Sequence, residues 1–450
     1  MQPRIVPRNE HGISRKQISP NALRTLYRLR DNGFTAYLVG GCVRDLLMGR
    51  TPKDFDIATN AVPGQIKRLF RNCRLIGRRF RLAHLHFQDE VLEVSTFRAL
   101  VPPEEAEGGE TELDGRHSRH VKDEDGMVLR DNVFGTPEED ALRRDFTINA
   151  LAYNIADFSV IDYCNGLSDL EQRLIRPIGD PAVRFTEDPV RMIRAVRFAG
   201  SHGLTIEPAT WEVLCSLAPT ITRAAPARLY EEMLKLFLLG AARPVFGLLA
   251  SSGLSAALFP GLHRWLAAGG ADRLMALESN LECLDRLCRS ALTPAPALFL
   301  AALFGPGLEE EALARHREGV PHQQAMDAAC SRFLEELAGT VTVPGRISGQ
   351  LRRILALQSS LHRMPPRRPA ALAARPDFAD AVAYLLVTAK THQENREALA
   401  WWQAYIQSPA GTGTEVPAEK VPGKKRQRRR RRSRPADQTA APEDGAALEP

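Results

Sequence analysis

The sequence lacks the marks of several protein classes. Its seven cysteines, at positions 42, 73, 164, 215, 283, 288 and 330, are odd in number and scattered, and no C-x-x-C occurs. Neither a disulfide framework nor a zinc site is suggested. A reducing cytoplasm is the setting this implies. The opening residues, MQPRIVPRNEHGIS, hold no apolar core, so they do not read as a secretory signal. The longest clean apolar run, residues 297–304, is far shorter than the roughly 20 residues a membrane span needs. There is no G-x-x-x-x-G-K-[ST] phosphate loop. No histidine is followed directly by aspartate, which argues against a phosphohydrolase of the HD type. No internal repeat is found.

What is present is a soluble balance, 44% hydrophobic and 25% charged over 450 residues. That length suggests about two to four domains. The net charge of +6 is local: residues 424–434, KKRQRRRRRSR, hold nine basic side chains, and taking them away leaves −3 for the rest. The basicity belongs to a tail. Residues 1–20 read as an extended arm. Residues 21–165 mix strand and helix patterns: a helix over 21–30, a β-run in TAYLVGG, a short helix in CVRDLLMG closed by Gly49, a strand in DFDIAT, and two strands in LAHLHF and VLEVSTF. Beyond residue 165 the period is helical almost throughout, read as a neck over 166–255 and a body over 256–407. Two stretches read as disordered, the Glu- and Gly-rich 102–125 and the tail from 408 to 450.

Three clusters hold residues suited to chemistry. In LVGGCVRDLLMGRTPKDFDIATN, Gly40 and Gly41 make a turn that lets backbone approach a ligand, and Arg44 follows in the first helical turn. Asp54 and Asp56 alternate along a strand and so project to one side. Two readings stand for them. They are a solvated strand end pairing with Lys53, or a pair whose mutual repulsion is relieved by a cation such as Mg²⁺, which takes one or two carboxylates and fills its sphere with phosphate and water. The second cluster, EEDALRRDFTINAL, places Arg143, Arg144 and Asp145 before an apolar stretch. It is a charged helix start, or Arg144 meets phosphates and Asp145 stands near the reacting centre. In the third, EDPVRMIRAVRFAG, Asp188 suits a helix N-cap and Arg191, Arg194 and Arg197 form one inclined ridge. That ridge is a solvated face or a nucleotide contact.

Together, LVGGCVRDLL, PKDFDIATN, RRDFTINAL and EDPVRMIRAVRFA resemble the class II nucleotidyltransferases, the family of bacterial poly(A) polymerases and CCA-adding enzymes, over about residues 20–260. RNCRLIGRRFRLAH, LRDNVFGTPEEDALRRDFTINAL and the arginine-rich end resemble its poly(A) branch. The resemblance implies an α/β nucleotidyltransferase head with a mixed, antiparallel-rich sheet, an all-α neck and body, and a disordered basic tail. It implies Asp54 and Asp56 as Mg²⁺ ligands in a two-metal site, and Asp145 as the third active-site acid, with Glu93 competing for that place. It implies nucleotide contacts from Gly40, Gly41, Arg44, Arg144, Asp188, Arg191, Arg194 and Arg197.

The activity implied is template-independent transfer of AMP from ATP to RNA 3′ ends, a tailing that promotes RNA decay. The alternatives are CCA addition to tRNA and an inactive RNA-binding scaffold. RNA contact falls to Arg71, Arg74, Arg78, Arg79 and Arg81 and to the tail, Arg428, Arg429 and Arg430 among it, because clustered cations bind phosphates without regard to sequence. RNA-decay or RNA-chaperone proteins are implied as partners, and neither DNA nor a membrane.

Overall fold

The computed structural model describes residues 2–77, 81–100, 121–122, 128–130, 134–290, 294–390 and 393–408. Most of the insert 102–125, together with Arg78, Arg79, Arg428, Arg429 and Arg430, lies outside them. The head strands are β1 (Arg4–Val6), β2 (Ala36–Val39), β3 (Asp56–Thr59), β4 (Cys73–Ile76), β5 (Leu82–His86) and β6 (Val91–Thr96). A separate two-stranded ribbon, β7 (Val121–Lys122) and β8 (Val128–Arg130), precedes β9 (Ala152–Asn154) and β10 (Val160–Asp162). The main sheet has eight strands in the order β1-β10-β9-β2-β3-β6-β5-β4. All its pairings are antiparallel except β3 with β6. The mixed, antiparallel-rich sheet expected from the sequence is therefore present.

The head helices are α1 (Pro20–Asp31), α2 (Gly41–Leu47), α3 (Pro63–Leu69), α4 (Pro137–Leu142) and α5 (Gly166–Glu171). Ser19 caps α1 by accepting from the N–H groups of Asn21 and Ala22, and Pro20 sits where no N–H is needed. Leu26 and Leu29 of α1 and Val43 and Leu46 of α2 share one buried cluster with Leu38, Ile57 and Val94 of the sheet. Val39, Ala58, Phe97, Ala152 and Ile161 form a second cluster. Both faces of the central strands are thus covered, which explains why β2 reads as an almost continuous apolar run.

Two local expectations change. Residues 1–20 are not an extended arm: β1 closes the sheet in register Arg4↔Asp162, Ile5↔Ile161 and Val6↔Val160, and Ile13 and Ile18 are buried in the head. The DFDIAT strand begins only at Asp56. Phe55 is buried in the head core and takes the chain inward, leaving Asp54 exposed just before the strand.

A short parallel pair, β11 (Leu174–Ile175) and β12 (Thr205–Ile206), links head and neck. The helices that follow are α6 (Pro181–Glu187), α7 (Val190–His202), α8 (Pro208–Leu217), α9 (Pro226–Phe237), α10 (Ala242–Ser251), α11 (Leu254–Leu258) and α12 (Pro260–Arg289). They continue with α13 (Pro296–Arg317), α14 (His322–Ala338), α15 (Gly345–Leu361), α16 (Pro369–Ala373), α17 (Phe378–Thr388) and α18 (Gln393–Gln407). Gly200 lets α10 close on α7: a Cβ there would stand 2.5 Å from Val245 Cγ2. One apolar cluster runs from Phe146 through α7, α9 and α10 into α13, α15 and α17, so neck and body share a core across residue 255. Among the described residues no helix is long and apolar enough to cross a membrane.

Inside the body, the buried Tyr384 hydroxyl donates to Glu309 Oε2 at 3.0 Å. Burial pushes the Glu309 carboxyl up to about 7. A carboxyl raised in the fold is harmless while protonated and costs stability as pH rises from its unfolded value through 7. Glu309→Gln, neutral at every pH, should therefore match the wild type near pH 5 and melt at a higher temperature near pH 8. Parallel melting curves that keep a constant gap across this range would refute the assignment.

Candidate active site

Between head and neck lies a cavity of about 820 Å³. The β2–α2 turn supplies Gly40, Gly41, Arg44 and Asp45. The approach to β3 supplies Asp54 and Asp56, β6 supplies Glu93, and the segment after α4 supplies Arg144, Asp145 and Asn149. From the neck come Asp188, Arg191, Arg194, Arg197 and Phe198, then Arg228, Glu231, Glu232 and Lys235 of α9. The three sequence clusters, at residues 38–60, 138–151 and 187–200, meet in this one space.

Gly40 has φ +79, and a Cβ there would stand 2.8 Å from Arg144 Nη1. Glycine therefore lets the turn fold back and lets Arg144 cross it. α2 has only seven residues, so the turn acts through close approach more than through a helix dipole. Arg44 is buried and fixed: Nε and Nη2 donate to Asp45 Oδ1 at 2.9 and 2.8 Å, and Nη1 donates to Asn149 Oδ1 at 2.7 Å.

The carboxylates gather at the head side. Asp56 and Glu93 are register partners on adjacent parallel strands, and neighbouring strands lie about 4.8 Å apart. Burial, then the charges of Asp54 and Glu93, push the Asp56 carboxyl up to about 6 against the pull of Arg144. Among the described residues no group of three histidine, cysteine, aspartate or glutamate side chains forms a ready metal cage. The donor set still suits Mg²⁺, which needs one or two carboxylates and takes its other oxygens from phosphate and water.

The arginine ridge is no solvated face. Arg191 Nη1 donates to Glu187 Oε2 at 3.0 Å and to the Arg184 carbonyl at 2.8 Å. Arg194 Nε donates to Asp145 Oδ2 at 2.6 Å, and Arg197 Nε stands 3.2 Å from Glu232 Oε2. Asp145 Oδ1 accepts from the Phe146 N–H and from Asn149 Nδ2 at 2.9 and 3.0 Å. Burial alone would raise the Asp145 carboxyl, but Arg194 and these donors hold it well below the usual carboxylate range. Burial would likewise lower Arg194, and Asp145 and Glu232 together reverse that.

The charged clusters also tie head to neck. Arg184 Nη2 donates to the carbonyls of Arg143 and Arg144 at 2.8 and 2.6 Å. Crowding shows in Arg143, which burial and then Arg98, Arg144, Arg184 and Arg191 lower to about 8. Arg143 caps the C-terminal end of α4 while Glu138, Glu139 and Asp140 fill its first turn, so the acids suit the dipole and the RRD triplet follows the helix. Asp188 lies between α6 and α7. It accepts from the Val190 N–H at 3.3 Å, a cap-like bond, and from Arg228 through both oxygens at 3.1 and 2.8 Å.

Sequence reasoning missed Asp45, Asn149, Arg228, Glu232 and Lys235. The first two lie inside motifs already quoted. The last three are spaced four and three apart on one α9 face opposite its apolar residues, a stripe that reads as solvent-facing until α7 is packed against it. The lining holds eight acids and seven cations, so the cavity is a set of internal ion pairs rather than a basic funnel.

Of the basic cluster near residue 75, the described Arg71, Arg74 and Arg81 do not line the cavity. Arg71, Arg74 and Arg81 are exposed. Arg74 is register partner to His84, His84 to Glu93, and Glu93 to Asp56, so one cross-strand row leads from sheet edge to carboxylates. His84 Nε2 stands 3.2 Å from Glu93 Oε1 on that row.

The chain is similar to known proteins. Residues 36–176 match the family described as "Poly A polymerase head domain", residues 203–266 the "Probable RNA and SrmB- binding site of polymerase A", and residues 318–435 the "Polymerase A arginine-rich C-terminus". Poly(A) polymerase I of Salmonella typhi is 41% identical over 437 residues, covering 95% of this chain and 92% of that one. The CCA-adding enzyme of Geobacillus thermodenitrificans is 35% identical over only 272 residues, 60% of this chain and 62% of its own. The crystal structure of the Bacillus stearothermophilus CCA-adding enzyme in complex with CTP superposes with a TM-score of 0.56 at 26% identity, covering 85% of this chain and 83% of that one. The sequence match to the Geobacillus enzyme spans 60% of this chain and the match to the Salmonella protein 95%, and the chain belongs to the bacterial poly(A) polymerase I family.

Proposed function

We propose that this protein is a template-independent polynucleotide adenylyltransferase that extends RNA 3′ ends with AMP from ATP. The observation carrying this reading is the meeting of carboxylates, glycine turn and arginine ridge in one cavity at the head–neck junction. The RNA 3′ hydroxyl attacks the α-phosphate in line, the bond to pyrophosphate breaks, and the strand grows by one AMP.

Asp54 and Asp56 would hold Mg²⁺, with Glu93 beside them as the third carboxylate. When bound, the metal lowers the pKa of the attacking hydroxyl and neutralises charge that builds on the phosphate. The Asp145 carboxylate is already saturated by Arg194, Asn149 and the Phe146 N–H, which supports a positioning role for it over metal binding. Arg144, beside Gly40, and Arg44 would take the triphosphate through guanidinium–phosphate contacts.

Asp188 and Arg191 would read the base. An acceptor beside a donor matches the amine and ring nitrogen on the pairing edge of adenine or cytosine. Guanine and uracil would leave buried groups unmatched, at about 1–3 kcal/mol each. RNA would approach along the row from Arg74 toward Glu93, and the basic tail would hold its upstream part through salt-sensitive phosphate contacts. A cytoplasmic setting and protein partners from RNA decay are consistent with this activity.

The test is a single RNA primer incubated separately with each nucleoside triphosphate and Mg²⁺. Long tails are expected with ATP alone. Addition of C then A to a tRNA end would establish the CCA-adding reading instead, and no addition at all the inactive scaffold.

A further inference from the structure

We propose that Phe198 is a positioning residue whose ring gathers three arginines at the head–neck junction and fixes where they stand for the nucleotide. The inference rests on the nucleotide-binding reading of the cavity. Phe198 is 5% exposed and lines that cavity. The guanidinium carbons of Arg197, Arg44 and Arg194 stand 4.3, 4.9 and 5.3 Å from its ring centroid. Arg44 comes from the head and the other two from α7, so the ring is shared by both parts.

Three guanidiniums so close together repel one another. Each has a carboxylate on another side: Asp45 for Arg44, Asp145 for Arg194 and Glu232 for Arg197. The negative face of an aromatic ring attracts cations at this range, most strongly where water is excluded. A ring therefore draws the three inward while the acids draw them outward, and the balance sets their places. An aliphatic side chain would fill the same volume without that inward pull. The ring itself is oriented by edge contacts, with Phe146 at 5.9 Å and 84° and with His202 at 5.9 Å and 65°. Phe146 follows Asp145 directly, so the ring also rests against the RRDF segment.

Volume and ring electronics can be separated. Phe198 is replaced with phenylalanine analogues bearing one, two and three ring fluorines, which keep the shape and progressively empty the negative face. KM for ATP is expected to rise stepwise to roughly tenfold at three fluorines, with kcat within about threefold. Phe198→Leu should show a similar rise in KM, and Phe198→Tyr should stay within about twofold of the wild type. A flat fluorine series, or a tyrosine variant as impaired as the leucine one, overturns the proposal. Wild-type AMP addition is measured alongside: its absence would sink the functional reading, whereas its presence with a flat series sinks this inference alone.

Discussion

Asp54→Ala is expected to cut AMP transfer to an RNA primer by roughly a thousandfold, the effect of several kcal/mol of lost charge stabilisation in the transition state. The fold should survive. Asp54 is exposed, and its charge helps raise the Asp56 carboxyl to about 6. Removing it relieves a repulsion and lets Asp56 fall back toward its ordinary value. ATP binding should change only a few-fold, because the arginines proposed to meet the phosphates and the pair proposed to read the base are untouched. Glu93→Gln should lose activity in the same direction. Single-turnover rates at saturating ATP and Mg²⁺, set beside thermal melts, decide the matter. Turnover by Asp54→Ala within tenfold of the wild type would remove the metal assignment.

The second large effect concerns stability. Arg194→Met leaves the Asp145 carboxylate, whose side chain is only 10% exposed, without its ion-pair partner. Breaking one side of such a pair costs about 3–5 kcal/mol. The pH dependence has a definite sign. Asp145 is depressed in the fold, so its contribution is present above the ordinary carboxylate range and is lost progressively as pH falls from that range toward its own, lower value. The gap between wild type and variant should be wide at pH 7 and narrower toward pH 3, where the buried Asp145 of the variant, no longer held down by Arg194, is protonated and needs no cation. Adding Asp145→Asn to the variant should recover much of the loss at pH 7, since both charges are then gone. Chemical denaturation of the four proteins measures the coupling, and additive effects would show that the pair is not energetically linked.

Local pattern made much of this legible. The glycine pair, the short helix after it and the strand alternation of residues 36–47 and 82–96 announce their elements, because propensity and burial agree there. The site residues were recognisable as types at spacings. Their pairings were not. Asp145 meets Arg194, and Glu232 meets Arg197, only after α7 and α9 pack, and nothing local to EEDALRRDF marks its aspartate as an arginine's partner. β1 was hidden for a similar reason: three residues, Arg-Ile-Val, acquire a strand's hydrogen bonds only from β10, some 155 positions away. DFDIAT misled in where its strand begins, because alternation says nothing of where Phe55 finds room.

The core shared by neck and body limits how such a protein can be cut or recombined. Phe237, at the end of α9, stacks on Phe299 of α13 at 4.5 Å and 15°, so the helix that lines the cavity is cemented to the body. A fragment ending near residue 255 would bare that seam to water. The module that could be exchanged between relatives as one piece is therefore neck and body together, with the seam toward the head made of ion pairs, one crowded ring and the Phe146–Ile148 corner of the same core.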